Sequence, residues 1–168
     1  MKHLLLFTFL LFFLNRCIFN TDDDKQPVTD EITRIHILER EHGYSNFPTT
    51  VITTADSLNN FLNQLLPQSA WNYKQVFLDS ITQAQIDFDS ENLILFRQTE
   101  TSGSNQLTIK TPYLLNGIIT IEIEHYIPGV GTDDMAYYCF AYRVKKEFKT
   151  IKFKIEKMED VIINLPEN

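Results

Sequence analysis

The first clear pattern in the chain is a helical one. Apolar side chains recur three and four positions apart, at Leu58, Phe61, Leu62, Leu65 and Leu66. Because an α-helix turns every 3.6 residues, this spacing lines one helix face, and it predicts a helix over residues 55–66. Thr54 or Asp56 can cap its N-terminus by accepting orphan backbone N–H groups, and Pro67 ends it. The leucine-rich face is interpreted as core packing.

Other segments carry the patterns of β-strands. Residues 119–124 and 151–156 alternate apolar and polar side chains, as half-buried strands do. The run Leu93–Phe96 is apolar at every position, which is typical of a central strand covered on both faces. Shorter apolar or β-branched segments predict further strands over residues 31–40, 49–53, 75–78, 106–110 and 136–144.

Turn-forming segments separate the later strands, at residues 99–105, 112–117 and 128–134. In the first of them Gly103 is able to take a positive φ. Strands joined by short turns are expected to pair antiparallel. The pattern therefore predicts an α+β domain, predominantly antiparallel β, with about six or seven strands and one amphipathic α-helix.

The N-terminus carries the pattern of an export signal. Lys2 precedes an apolar stretch from Leu4 to Leu14 that only Thr8 interrupts. A stretch of roughly ten residues suits the apolar region of a signal peptide, whereas a membrane-spanning helix needs about 20. Residues 1–16 are therefore predicted to be a signal peptide that directs the domain out of the cytoplasm.

Residues 14–17, Leu-Asn-Arg-Cys, resemble the end of a bacterial lipoprotein signal, in which the cysteine becomes the lipidated N-terminus. The resemblance implies that Cys17 is lipidated and that its acyl chains, such as palmitate, anchor the protein to the cell membrane or outer membrane. Several chains hold a domain there because each buried methylene contributes about 0.8 kcal/mol. Arg16 stands where the pattern usually has a small residue, so an uncleaved anchor is the alternative.

The segment after Cys17 is acidic and polar, with Asp22-Asp23-Asp24 followed by Pro27. Such a composition cannot bury enough apolar surface to order itself. Residues 17–30 are therefore predicted to be a disordered tether, and residues 31–168 a single globular domain. With 43% hydrophobic and 22% charged residues, the composition is that of a folded domain. The formal net charge of -7 argues against nucleic acid as a partner, because phosphate binding needs cations.

The sequence offers little catalytic or metal-binding chemistry. His36, His42 and His125 show no paired-ligand spacing and are interpreted as ordinary histidines. The loop containing Asp133-Asp134 lacks the alternating acids of a calcium loop and is interpreted as a solvated hairpin tip. Cys139, on a strand near that of His125, is interpreted as a small buried apolar residue. No catalytic residue, metal ligand or cofactor is predicted, and the chain is not expected to be an enzyme.

A basic stretch over residues 143–157 follows an aromatic strand. A solvated hairpin face and core-filling tyrosines would explain both features. The alternative is a positive patch on an acidic domain, with tyrosines adding contact area. The candidate partner surface consists of Tyr138, Tyr142, Arg143, Lys145 and Lys146.

The order of several short motifs resembles a known family. Residues 53–62, TTADSLNNFL, begin a helix, and Ile86-Asp-Phe-Asp89 precedes the strand 92–97. A Gly/Ser turn, a further strand and a Pro-Gly loop follow. Over residues 50–156 this order resembles the C-terminal domain of the protease-complex subunit PrcB family, found in exported bacterial lipoproteins. The resemblance implies a non-catalytic lipoprotein that associates with a secreted protease and stabilises it.

Together these features predict a membrane-tethered extracytoplasmic lipoprotein that acts as a protein-interaction module. The expected partners are a membrane, through the lipid anchor, and another protein, for which an exported protease is the candidate. Two alternatives remain open. One is a lipoprotein that binds a small ligand or glycan, which an enclosed cavity of several hundred cubic ångströms would favour. The other is an enzyme whose site the sequence does not reveal.

Overall fold

The structure is a computed structural model, and it describes residues 25–28, 30–41, 47–69 and 71–166. The predicted signal peptide, Cys17 and His42 lie outside the described residues. Within them the chain forms eleven strands and two helices: β1 Gln26–Pro27, β2 Ile32–Ile35, β3 Arg40–Glu41, β4 Thr50–Ile52, α1 Ala55–Leu65, α2 Lys74–Gln83, β5 Glu91–Glu100, β6 Gln106–Ile109, β7 Tyr113–Leu115, β8 Ile118–Tyr126, β9 Ala136–Lys145, β10 Thr150–Ile155 and β11 Val161–Asn164.

The strands form two sheets. The central sheet has the order β2-β9-β5-β4, and β3 also pairs with β9. The outer sheet has the order β1-β7-β8-β10-β11, and β6 also pairs with β8. Strands β8 and β10 are parallel, whereas the other described pairs are antiparallel. The predicted α+β class with mainly antiparallel sheets is therefore confirmed, although the described strands and helices outnumber the prediction.

The central sheet is covered on both faces. Ile94 and Phe96 of β5 pack against the outer sheet, and the ring of Phe96 stacks on that of Phe153 with centroids 4.0 Å apart. Leu93 and Leu95, which point the other way, pack under the two helices. Full burial of such a side chain contributes about 1.5–3 kcal/mol. The molecule thus has three layers, and β5 is the doubly covered strand that the sequence predicted.

Helix α1 begins where the sequence predicted. The Thr54 side chain accepts a hydrogen bond from the Ser57 backbone N–H at 3.1 Å, and the Ser57 side chain accepts one from Thr54 at 3.1 Å. This reciprocal pair satisfies two backbone donors that the first helical turn leaves open. Phe61 and Leu65 are buried against the central sheet, whereas Leu66 lies beyond the helix and is 53% exposed.

Helix α2 replaces the strand predicted over residues 75–78, and that prediction is wrong. Phe77, Leu78 and Ile81 are buried on one side of the helix, against the central sheet. Their spacing gives only a short helical pattern, and Val76 beside them is 49% exposed. Tyr73 at the N-cap makes no side-chain capping bond, so the usual start signal is also missing.

The expectation that successive strands pair is wrong for β8, β9 and β10. Although short loops join them, β9 lies in the central sheet, while β8 and β10 pair with each other in the outer sheet. The reason is their apolar pattern. Phe140 and Tyr142 of β9 pack between the sheets, and Cys139 and Ala141 pack under the helices. A strand that is apolar on both faces needs cover on both, whereas alternating strands suit the outer sheet.

The globular domain begins before residue 31. Gln26 and Pro27 pair with Leu114 and Tyr113, and Val28, only 4% exposed, joins the core between the sheets. The predicted tether over residues 17–30 therefore extends too far. The acidic and polar composition of this segment predicted a tether. In the structure, however, its residue Val28 packs between the two sheets.

Candidate functional site

A buried polar cluster lies at one end of the two-sheet sandwich. The Glu100 side chain, at the end of β5, is 4% exposed and accepts a hydrogen bond from Asn105 Nδ2 at 2.9 Å. His125 Nε2, from β8, lies 2.9 Å from the same carboxylate oxygen, and Gln98 Nε2 donates to the other oxygen at 3.2 Å. Donors from two strands and one loop thus converge on one carboxylate. These hydrogen bonds give partners to a buried polar group that would be strongly unfavourable without them.

Strand alternation explains why these groups point inward. Glu100 continues the face of β5 that carries Ile94 and Phe96, and His125 continues the face of β8 that carries Ile121. The same alternation was visible in the sequence. It could have identified His125 as an inward-facing residue, where the sequence analysis interpreted it as an ordinary strand histidine.

The cluster fixes two loops. The Tyr138 hydroxyl donates to the backbone carbonyl of Asn105 at 2.9 Å, which holds the loop 101–105. Gly103 N–H donates to the carbonyl of Asp134 at 2.7 Å, and Thr132 N–H donates to the Ser102 hydroxyl at 2.9 Å. The loop 127–135 is therefore anchored at residues 132–134.

The absence of a side chain at Gly103, rather than a positive φ, allows Asp134 to approach this closely. A Cβ atom there would overlap the carboxylate of Asp134. Among the glycines of the described residues, positive φ occurs at Gly117. The prediction that Gly103 marks the turn is sound, but its reason is the close approach of the neighbouring loop.

Large apolar side chains are exposed around these fixed loops. Val130 at the loop tip is 86% exposed, and it stands between Gly129 and Gly131. Half of the ten exposed large apolar side chains in the described residues lie at this end of the sandwich. We call these five the apolar end: Tyr126, Ile127, Val130, Met135 and Met158.

The candidate partner surface predicted from the sequence does not exist as one surface. Tyr138 and Tyr142 are 4% and 1% exposed and pack between the sheets, where burial raises the pKa of both hydroxyls. Arg143 points to the opposite face of β9, 3.5 Å from the Ala84 carbonyl. Lys145 is exposed and Lys146 is half-buried at the end of the domain remote from the apolar end. The prediction is wrong because alternation assigns residues to faces but does not say which faces are covered.

Cys139 and His125, which the sequence placed on neighbouring strands, do not meet. Cys139 lies beneath the helices and His125 between the sheets. Burial raises the pKa of the Cys139 thiol to about 12, which suits a packing role. Across the described residues there is no group of three or more His, Cys, Asp or Glu side chains that could hold a metal ion. His36 and Asp133 are exposed.

Neither helix of the described residues has the length and apolarity that crossing a bilayer requires. In comparisons with known proteins, no protein-family model, curated protein or solved structure matches this chain.

Proposed function

We propose that this chain is an exported, membrane-tethered lipoprotein that acts without catalysis, by binding another protein through the apolar end. The observation that carries the proposal is the exposure of five large apolar side chains at one end of the sandwich, where the buried polar cluster holds the loop 101–105 and that loop in turn holds residues 132–134. Contiguous exposed apolar residues are typical of protein interfaces. Loops fixed on a rigid scaffold lose little entropy when a partner binds them.

The direction of the first strand supports the proposal that a protein, rather than the bilayer, binds the apolar end. Strand β1 pairs antiparallel with β7, which pairs antiparallel with β8, so β1 runs parallel to β8. Lys25 therefore lies near the start of β8, whereas Ile127 follows its end. Nine residues of strand place these points about 26 Å apart. An anchor that precedes Lys25 therefore joins the domain at the end opposite the apolar end.

The partner that we propose is an exported protease, whose fold or location the tethered domain stabilises. The support is the resemblance of residues 50–156 to the PrcB family and the predicted export signal. The short segment between Cys17 and Lys25 reaches at most about 28 Å. With the distance of about 26 Å from Lys25 to the apolar end, a partner bound there would be held within about 54 Å of the membrane.

Site-specific photocrosslinking tests the proposed surface. A benzophenone amino acid replaces Val130 in the full chain, in cells that make it at native abundance. The matched control carries the same group at Glu147, an exposed residue in the turn at the opposite end. We expect one discrete crosslinked protein from position 130, identified by mass spectrometry as an exported protease, and none from position 147.

A second variant separates the surface from the fold. Val130→Asp should leave thermal stability unchanged, because the side chain is 86% exposed, yet reduce recovery of the partner about tenfold or more. Equal crosslinking at positions 130 and 147, or crosslinks to lipid alone, would contradict the proposed interface. A specific partner that is not a protease would retain the interface and reject the protease.

Fatty-acid labelling tests the anchor independently. Radiolabelled palmitate should label the wild-type chain and not Cys17→Ala, and the variant should leave the membrane fraction. Cys139→Ala is the matched control, and it should retain the label because that thiol is buried in the domain. Labelling of Cys17→Ala, or membrane retention without label, would favour the uncleaved anchor.

A further inference from the structure

A cleft of about 420 Å³ opens at the edge of the sandwich, between β2 of the central sheet and β6 of the outer sheet. Ile32 forms one apolar wall, and Ile109 and Pro112 form the other. The chain closes one side of the cleft, because Val28 N–H donates to the Pro112 carbonyl at 3.3 Å as the chain passes from β1 towards β2. The volume is within the range of sites for small organic ligands.

Tyr142 lies at the inner side of this cleft and has an unsatisfied hydroxyl. Its side chain is 1% exposed, and the hydroxyl has no hydrogen-bond partner among the described residues. Arg34 lies opposite Tyr142 in the pairing of β2 with β9, so the two side chains are on the same face of the central sheet. Buried hydroxyls nearly always have a partner. An acceptor brought by a ligand would supply one.

Two cations line the cleft, Arg34 and Lys110, and within the described part of the chain no acidic side chain lines it. Arg34 is paired with Glu39 through Nε and Nη2, and Lys110 is paired with Glu124, but neither glutamate lines the cleft. The guanidinium therefore retains N–H donors for a second acceptor.

We propose that this cleft binds a small organic anion, a carboxylate with an apolar body. The carboxylate accepts hydrogen bonds from the Tyr142 hydroxyl and from Arg34, and Lys110 adds a positive charge nearby. The apolar body packs against Ile32 and Ile109. A neutral ligand of the same shape would lack the charge-assisted hydrogen bond from Arg34 and would bind more weakly. This site is independent of the apolar end, so neither proposal depends on the other.

The test uses two water-soluble probes that differ in one group, 4-phenylbutyrate and 4-phenylbutanol. Each is titrated calorimetrically into the full-length chain held in phosphatidylcholine nanodiscs, with empty nanodiscs as the blank for partitioning. We expect saturable binding of 4-phenylbutyrate that is about tenfold tighter than that of the alcohol. 4-Phenylbutylphosphonate serves as a third probe to distinguish a carboxylate site from a general anion site.

Three variants locate the binding. Tyr142→Phe keeps the ring and removes the hydroxyl, and Arg34→Gln removes the charge. Each should weaken 4-phenylbutyrate binding about tenfold. Lys149→Gln, which removes an exposed cation outside the cleft, should change it less than about twofold.

Thermal unfolding provides the second readout. Tyr142→Phe should leave the midpoint unchanged or raise it, because the lost hydroxyl has no hydrogen-bond partner in the part of the chain that the structure describes. A lowered midpoint would show that the hydroxyl is already satisfied and would overturn its role as a ligand donor. Absence of saturable binding, equal affinity for the acid and the alcohol, or wild-type affinity in both variants would overturn the proposal. Tighter phosphonate binding would replace the carboxylate with a phosphate-type anion.

Discussion

The Glu100 carboxylate accepts a hydrogen bond from His125 Nε2 across 2.9 Å, between side chains that are only 4% and 5% exposed. This geometry requires Nε2 to carry the proton, which leaves His125 Nδ1 without a partner among the described residues. The pair joins the last residue of β5 to β8, and so links the two sheets at the apolar end.

Replacing Glu100 by Gln should therefore destabilise the domain by about 2–4 kcal/mol. An amide offers one accepting oxygen, so its NH2 group would face one of the donors from Gln98, Asn105 or His125. The free energy of urea unfolding measures the effect, and Glu159→Gln, an exposed change of the same type, is the control. A loss below about 0.5 kcal/mol would show that the cluster does not stabilise the fold.

The contact between the two loops at the apolar end gives a paired prediction. Gly103→Ala places a methyl group onto the Asp134 carboxylate, which must move and lose its hydrogen bond from Gly103 N–H, and it should destabilise the domain by about 0.5–1.5 kcal/mol. Gly129→Ala meets no atom within 4 Å and should change stability by less than about 0.5 kcal/mol. Thermal denaturation of both variants checks this. Equal effects would mean that the loops are not packed against each other.

The Cys139 thiol should be inert in the folded protein. With a pKa raised to about 12 by burial, only about one thiol in ten thousand is ionised at pH 8, and the thiolate is the reactive form. A Cys17→Ser variant makes Cys139 the single thiol of the chain. A disulfide-exchange reagent should label it in urea but not in buffer. Rapid labelling in buffer would indicate an open or electropositive site.

Acid should weaken the attachment of the first strand. Tyr113 donates to Glu122 Oε1 at 2.8 Å, and Lys25 and Lys154 lie 3.7 and 3.6 Å from the same oxygen. The Tyr113 hydrogen bond lowers the pKa of Glu122 below its ordinary 4.5. Because the folded-state pKa is lowered, this carboxylate stabilises the fold above about pH 4.5 and ceases to do so as pH falls through the folded-state value.

The measurement compares urea unfolding at about pH 6.5 and about pH 3. The wild-type chain should lose more stability on acidification than Glu122→Gln, whose amide does not titrate. Glu159→Gln should behave like the wild type, because Glu159 is exposed and is not among the described residues that bind Glu122. An identical acid response in wild type and Glu122→Gln would contradict the role assigned to this carboxylate.

The local spacing of apolar residues was sufficient to predict the elements whose own sequence shows how they pack. Thr54 and the leucine spacing located α1, and the uninterrupted run Leu93–Phe96 identified a strand covered on both faces. Helix α2 was missed because its buried face rests on Phe77, Leu78 and Ile81 alone, without a capping side chain. Too few periodic positions then remain to separate a helix from a short strand.

The partner surface could not be predicted correctly from the alternation of apolar and polar residues, because alternation does not show which face of a strand another sheet covers. Tyr138 and Tyr142 share a face of β9 with Phe140, yet only the position of the outer sheet shows that this face is covered. The cleft at Tyr142 likewise arises from the spacing of two sheet edges that are distant in sequence. Such relationships follow from sheet order, and β8 pairs with β10 across an intervening strand of the other sheet.

The position of β9 has a consequence for biosynthesis. It pairs with β2 and β3 on one side and with β5 on the other, so these earlier strands lack their neighbour until residues 136–145 have emerged. Pairings between distant segments form slowly, so the central sheet is expected to complete late. A product that terminates before residue 136 would have no nucleus for the three layers. We expect cells to degrade it rather than retain a partly working fragment.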